Sequence, residues 1–416
     1  MSEPSTPGGR VTLADLEGDP HRVLAQLRAA APAAWVPVLG TWLITGYDLA
    51  VAVMRDARTF TVDDPRFSTA QVVGPSMLSL DGAPHAHHRG PFNRPFRHDE
   101  VHARLAAFTR AETGRLVSAI EPLGAAELRR AVAGPLAAAV MAEVLGLGRA
   151  DPATILTWYD GIVAAVQAEG AAAGRGALAG TRAGADAGAG AGIGAGIGAD
   201  GVTSVAAGGT AAFGELAASL REVIARGGSL LAEVTGPLAE DEAISNAAVL
   251  MFGGIETTEG MIANALLHLL SSPAQLALVL ADPGLVPAAV EESLRLEPAA
   301  AVVDRYATVG TRLADATIQA GDQVTVSITG ANRDPAVFAD PDVFDVRRAN
   351  AGRHLAFAHG PHFCLGAHLA RLEAQVAVGT LLARLPRLRL DPGHPSAPRG
   401  LVFRKPPALR VRWDTG

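Results

Sequence analysis

The chain has 416 residues, with 35 Lys and Arg against 42 Asp and Glu and a formal net charge of −7, so there is no electrostatic case for a nucleic-acid partner. A single cysteine excludes an internal disulfide and a four-ligand structural zinc site of the usual kind. The length is ample for a large core, and no internal repeat or clear break argues for cutting it. Residues 21–416 therefore read as one domain behind a flexible tail over 1–20.

The start lacks the basic patch and apolar run of a signal peptide, and the most apolar internal run, 247–255, is too short to span a bilayer. The expectation is a cytoplasmic protein without a membrane anchor. Residues 35–55 read as two short strands around Gly40 and Thr41, then a helix from near Asp48. Asp63-Asp64-Pro65 breaks regular structure, and Met77-Leu78 returns to apolar character.

Next comes Asp81-Gly82-Ala83-Pro84-His85-Ala86-His87-His88-Arg89, whose histidines lack the carboxylate or cysteine that would complete a recognisable metal-ligand set. His85 and Arg89 lie four apart, hence on one helical face. His87 and His88 read as facing solvent or a partner, and Pro91 and Pro95 as interrupting the helix. From 101 to 148 the pattern is helical, with Leu105, Phe108, Leu116, Ile120, Leu136, Met141, Val144 and Leu145 offered to the core. A further helix begins around Trp158-Tyr159 and fades after Gln167. Alanine and glycine then dominate 168–212, a low-complexity stretch too poor in apolar surface to offset its ordering entropy, so it reads as mobile.

The longest helical pattern runs over 240–271, with Gly253-Gly254-Ile255-Glu256-Thr257-Thr258 at its middle. Each interior glycine costs a helix roughly 1 kcal/mol relative to alanine, which suggests local widening or close approach of a ligand. A carboxylate beside a threonine in apolar surroundings is likewise expensive unless used. Glu292 and Arg295 stand at i,i+3 on a later helix ended by Pro298, followed by the small apolar run 299–303. Residues 323–328 alternate as a strand, and 400–403 read as a final hairpin.

The only cysteine lies in Phe357-Ala358-His359-Gly360-Pro361-His362-Phe363-Cys364-Leu365-Gly366. Three uses are open to it: an inert buried thiol, a nucleophile, or one thiolate ligand to a large cofactor. Gly360 and Gly366 fit a tight loop whose peptide N–H groups can point at the sulfur. Leu365, Leu369, Leu372 and Val376 then recur at helical spacing, which puts the sulfur near a helix N-terminus, where the dipole favours the thiolate.

The pattern Phe-x-x-Gly-x-His-x-Cys-x-Gly, flanked by His354-Leu355-Ala356-Phe357 and Ala370-Arg371-Leu372-Glu373, resembles the haem-binding loop of the cytochrome P450 family. The resemblance implies a mainly α fold with a minor β region (α+β), in which a distal long helix and the cysteine loop sandwich haem b. It implies Cys364 as the iron ligand, with Phe357, Gly360 and Gly366 shielding the sulfur. His85, Arg89, Arg305 and His362 become the propionate candidates. Glu256 and Thr257 match the family's oxygen-activating acid and alcohol, Glu256 relaying protons. Glu292 and Arg295 match a buried structural pair, completed by Arg347 or Arg348. Met77, Gly253, Gly254, Ala300, Ala301, Val302 and Val402 would line the substrate chamber. The stretch 168–212 falls between two lid helices, where it tunes access or is a tolerated insertion.

The implied activity is a soluble bacterial-type monooxygenase of secondary metabolism. It would use O₂ with NAD(P)H electrons delivered by ferredoxin reductase and ferredoxin, and hydroxylate or epoxidise a lipophilic small molecule. The small apolar run after Pro298 and the few aromatics favour a bulky aliphatic substrate such as a terpenoid or polyketide. Arg353 and Arg371 are candidates to meet an acidic ferredoxin. The alternatives are a peroxide-using or oxidative-coupling enzyme on the same scaffold, a haem sensor or carrier without turnover, and a cysteine hydrolase with His362 as base.

Overall fold

The computed structural model describes residues 7–148, 150–151, 153–166 and 199–415, with side chains from 208 onward in the last stretch. Most of 168–212 lies outside the described residues. The part of 1–20 that is described is packed, contrary to the expected tail. In α1 (Leu13–Glu17) Thr12 and Asp15 cap each other, the Asp15 N–H donating to Thr12 Oγ1 at 3.2 Å and the Thr12 N–H to Asp15 Oδ2 at 3.0 Å. Val11 and Leu16 are buried against Leu24 and Leu27 of α2 (His21–Ala30).

Strands β1 (Ala33–Val36) and β2 (Thr41–Ile44) pair across the expected turn, and α3 (Tyr47–Arg55) follows. After β3 (Phe60–Thr61) and α4 (Ser68–Val73), α5 (Gly82–Asn93) runs through Pro91, so the helix breaks only past Asn93. The helical reading of 101–148 is interrupted. α6 (His98–Ile120) ends in a turn at Gly124, whose φ of +69° is left-handed, and β4 (Ala125–Glu127) and a π turn precede α7 (Gly134–Leu145). Apolar periodicity on both sides hid the break.

Helices α8 (Ala153–Val166) and α9 (Ala199–Arg226) cross closely, because a Cβ on Gly209 would fall 2.1 Å from Ala165 Cβ and one on Gly161 2.7 Å from Ala212 Cβ. The end of the alanine- and glycine-rich stretch is therefore helix, and its composition serves that contact. Leu216, Leu220 and Val223 anchor α9 in the main core.

After α10 (Leu230–Val234), the long helix α11 (Glu240–Ser271) has the expected bounds, with Glu240, Asp241 and Glu242 favouring its positive end. It packs against α7, α9, α13 (Val286–Leu296) and α15 (Ala367–Arg384), with α12 (Pro273–Ala281) turning away from its end. β5 (Val302–Ala307), β6 (Thr311–Leu313), β7 (Ala316–Ile318), β8 (Gln323–Ser327), α14 (Ile328–Ala331), β9 (Arg389–Leu390) and β10 (Arg410–Arg412) complete the elements used below. The main sheet runs β1-β2-β8-β5-β3, parallel only between β2 and β8, where Leu43 faces Thr325.

Glu292 and Arg295, both fully buried, join bidentately at 2.8 Å, and Arg348 Nε reaches Glu292 Oε1 at 2.9 Å. Arg348, not Arg347, completes the network. Among the described residues no single helix is long and apolar enough to cross a membrane.

Candidate active site

The cysteine loop is shaped from its backbone. The Cys364 N–H donates to the Phe357 carbonyl at 2.8 Å, and Gly360 adopts φ +76° where a Cβ would strike the Met54 carbonyl at 2.6 Å. Only glycine lets the loop lie on α3 there. Gly366 has an ordinary φ of −81°, and its N–H acts to favour the Cys364 thiolate. Phe357 is buried beneath Arg371, whose guanidinium stacks 4.4 Å over the ring. Cys364 itself is solvent-accessible, though protein crowds its other sides. That burial pushes its thiol up, opposed by the Gly366 N–H and the charges of Arg89 and Arg371.

On α11, nearly every residue between Ala243 and Ile255 is buried, but Leu250, Gly253, Gly254 and Thr257 remain partly open along one face. A Cβ on Gly253 would meet nothing within 4 Å, whereas one on Gly254 would strike Met141 Sδ at 2.4 Å. Gly253 thus borders open space, and Gly254 is a packing contact with α7. The Thr257 hydroxyl donates to the Gly253 carbonyl at 2.6 Å, leaving its lone pairs to accept from a group in that space. Glu256 is turned elsewhere: it is buried and lies 2.8 Å from Lys405 Nζ.

Two buried groups near the loop are incompletely satisfied. Arg305 on β5 is 4 % exposed, and its hydrogen bond goes to the neighbouring Asp304 carbonyl at 2.7 Å. Among the described residues no carboxylate lies within ion-pair distance of Arg305 or Arg89; Asp81 and Asp304 act on the Arg305 charge only from farther away, and burial outweighs them, lowering its pKa. His85 Nε2 is buried without a hydrogen-bond partner, its ring 4.4 Å from that of His362. Burial first, then the His362 and Arg89 charges, lower its pKa to about 4. Arg89 Nη2 donates to the Phe363 carbonyl at 2.6 Å, tying α5 to the cysteine loop. An accessible sulfur, two cations without carboxylate partners and an orphaned imidazole fit a large anionic cofactor bound through sulfur.

The sequence profile of the cytochrome P450 family matches residues 280–408. The cytochrome P450 monooxygenase PikC of Streptomyces venezuelae is 34% identical over 419 residues, covering 97% of this chain and 93% of that protein. This chain belongs to the cytochrome P450 family. The nocardicin C N-oxygenase of Nocardia uniformis subsp. tsuyamanensis is 31% identical across 95% of this chain and 97% of that protein. A crystal structure of CalO2 superposes with a TM-score of 0.82 at 28% identity, over 97% of this chain and 98% of that one. The chain is thus an oxidoreductase, a P450 monooxygenase with a haem-thiolate cofactor that uses O₂ and a redox partner. The hydrolase and non-catalytic alternatives fall with that assignment.

Several expected P450 site residues are placed differently. His362 Nε2 pairs with Asp81 Oδ1 at 2.8 Å. Asp81 also accepts from Thr61 Oγ1 at 2.7 Å and the Val62 N–H at 2.8 Å. Burial acts upward on Asp81, but these bonds bring it down to about 2. Asp81 is thus a hub that sequence reading passed over, although it opens the His85 and Arg89 motif. His88 faces neither solvent nor a partner: it is buried, 2.9 Å from Asn246 Nδ2, while His87 is exposed and meets Glu242.

Of the expected chamber lining, Ala300 and Val302 keep some exposure, but Met77 and Ala301 are covered. The expected hairpin is present, with Gly400 at φ +113° and Arg399 opposite Lys405. Its tip residue Val402 is 45% exposed, and Phe403 meets α11, its ring 5.7 Å from Phe252. Arg371 is bound to both oxygens of Glu291, at 2.6 and 3.0 Å, so its charge is not free for a partner; Arg353 is exposed. Glu259, one turn along α11, and Arg129 and Lys405 flank Glu256; Arg129 and Lys405 gave no sequence signal because they lie more than a hundred positions from it.

Proposed function

We propose that this P450 binds haem b through the Cys364 thiolate and oxygenates a lipophilic small molecule of secondary metabolism in the cytoplasm. Electrons would come from NAD(P)H through a ferredoxin reductase and a ferredoxin. The observation that carries the reading is that buried Arg305 has no carboxylate at ion-pair distance while buried His85 Nε2 has no hydrogen-bond partner, both groups lying within reach of the Asp81 charge. With Arg89, these groups are positioned to receive two propionates. When bound, the haem supplies the iron at which O₂ is reduced and split, so that substrate, O₂, two electrons and two protons give alcohol and water.

The protein's part is binding and proton handling. Phe357 and the loop amides shelter the sulfur. The small residues Gly253, Ala300 and Val302 leave apolar space for substrate, which supports a lipophilic ligand, with a terpenoid or polyketide preferred. The Thr257 hydroxyl is free to accept a proton-bearing group, and Glu256 passes protons inward from solvent.

The test is the carbon monoxide difference spectrum of the dithionite-reduced protein. Wild type is expected to show a strongly red-shifted Soret band and Cys364→Ser to lose it. An unchanged band in the variant would overturn the ligand assignment. Product formation with ferredoxin and reductase, but not with hydrogen peroxide alone, is expected; the reverse would favour the peroxide-using alternative.

A further inference from the structure

Glu256 and Glu259, both buried on α11, reach the same ammonium group. Lys405 Nζ lies 2.8 Å from Glu256 Oε1 and 3.0 Å from Glu259 Oε2. The second oxygen of Glu259 is taken by Arg129 Nε, and the Arg129 guanidinium also donates to the Pro406 and Pro407 carbonyls. Two cations therefore stand against two carboxylates, and Arg129 clasps the chain just beyond the lysine.

The hairpin carrying Lys405 is held firmly. Buried Arg404 donates to Glu297 Oε1 at 2.6 Å and to the Gly18 carbonyl at 3.0 Å, and its N–H bonds the Ala299 carbonyl at 2.8 Å. The lysine stem passes over Gly260, where a Cβ would come within 3.5 Å of Lys405 Cβ.

We propose that Lys405 is a positioning residue for proton delivery, holding Glu256 away from the open face of α11 and releasing it by shifting its charge to Glu259. This rests on the reading of Glu256 as the relay acid. A buried ammonium that let go of its only carboxylate would be left uncompensated, at high cost. Here Glu259 already holds the ammonium at 3.0 Å, so Glu256 can leave without stripping the lysine of its last carboxylate. Arg129 sets the balance: by neutralising Glu259 it leaves the lysine charge available to Glu256. Freed, Glu256 takes a proton from water and passes it toward Thr257. Each turnover consumes two such protons with the two electrons.

The experiment compares wild type, Lys405→Met, Lys405→Arg, Glu256→Gln and the Lys405→Met/Glu256→Gln double variant, each shown to be haem-loaded by its carbon monoxide spectrum. Two quantities are read: product formed per NAD(P)H across pH, and the unfolding midpoint in denaturant. Glu256→Gln is expected to lower product per NAD(P)H by about tenfold, the low end for a general acid–base group, with the balance appearing as hydrogen peroxide. Lys405→Met is expected to lower it severalfold and shift its pH profile, with Lys405→Arg restoring most of the loss. In the Glu256→Gln background Lys405→Met should change coupling no further, and the two substitutions should be non-additive in unfolding.

Additive effects in both readouts, or wild-type coupling in Lys405→Met, would overturn the role of Lys405 while leaving Glu256 in place. Unchanged coupling in Glu256→Gln would instead overturn the relay reading, and this inference with it.

Discussion

Arg305 is a buried cation whose hydrogen bond is spent on the neighbouring Asp304 carbonyl, and the apoprotein bears that cost. Arg305→Met should therefore leave the unfolding midpoint of the apoprotein unchanged or raised, while lowering the haem retained on purification. Loss of apoprotein stability with full haem retention would contradict the propionate role. The lining of the cysteine loop was legible because glycines and a lone cysteine have few physical uses at such spacing. Asp81 under His362 and Lys405 under Glu256 were not, because a side-chain pair between residues more than a hundred positions apart leaves no periodic trace. The same limit applied to Gly253 and Gly254: a preference for glycine was visible, but only packing distinguishes an open space from Met141.

At the level of elements, α11 was readable to its ends because its acidic first turn and Pro273 mark where helix can start and stop. Within 168–212, the part described is the start of α9, and it is helix where mobility was expected: glycine and alanine are poor in apolar area, but at a close crossing their lack of bulk is what permits contact. Two neighbouring glycines separate these effects. Gly209 lies against Ala165, so Gly209→Leu should overpack the α8–α9 crossing and cost about 1–3 kcal/mol. Gly208 is exposed with nothing within 4 Å, so Gly208→Ala should stabilise by roughly 0.5–1 kcal/mol through helix propensity. Thermal unfolding of the two variants checks both, and equal shifts of the same sign would mean that the crossing is not a close contact.

Across the whole molecule, the two ends of the chain are tied at Glu297, which follows α13. Its carboxylate meets His21 Nε2 at 2.9 Å and Arg404 Nε at 2.6 Å, joining α2 to the hairpin that carries Lys405. Burial acts to raise the Glu297 pKa, but the His21 hydrogen bond and the Arg404 and Arg333 charges bring it down to about 2, against an ordinary 4.5. The folded state therefore binds this proton less readily than the unfolded state. Its stabilisation is fully present above pH 4.5 and is lost as pH falls toward about 2, because the unfolded chain takes up the proton first. The difference corresponds to about 3 kcal/mol at neutral pH. Glu297→Gln should accordingly lower unfolding free energy at pH 7, with the gap to wild type closing as the acid limb is descended. Denaturant unfolding at several pH values measures this, and curves that stay parallel would show that Glu297 does not titrate as described. Because Arg404 immediately precedes Lys405, the same acid limb should loosen the hairpin that holds Glu256, so coupling of electrons to product should fall before global unfolding begins.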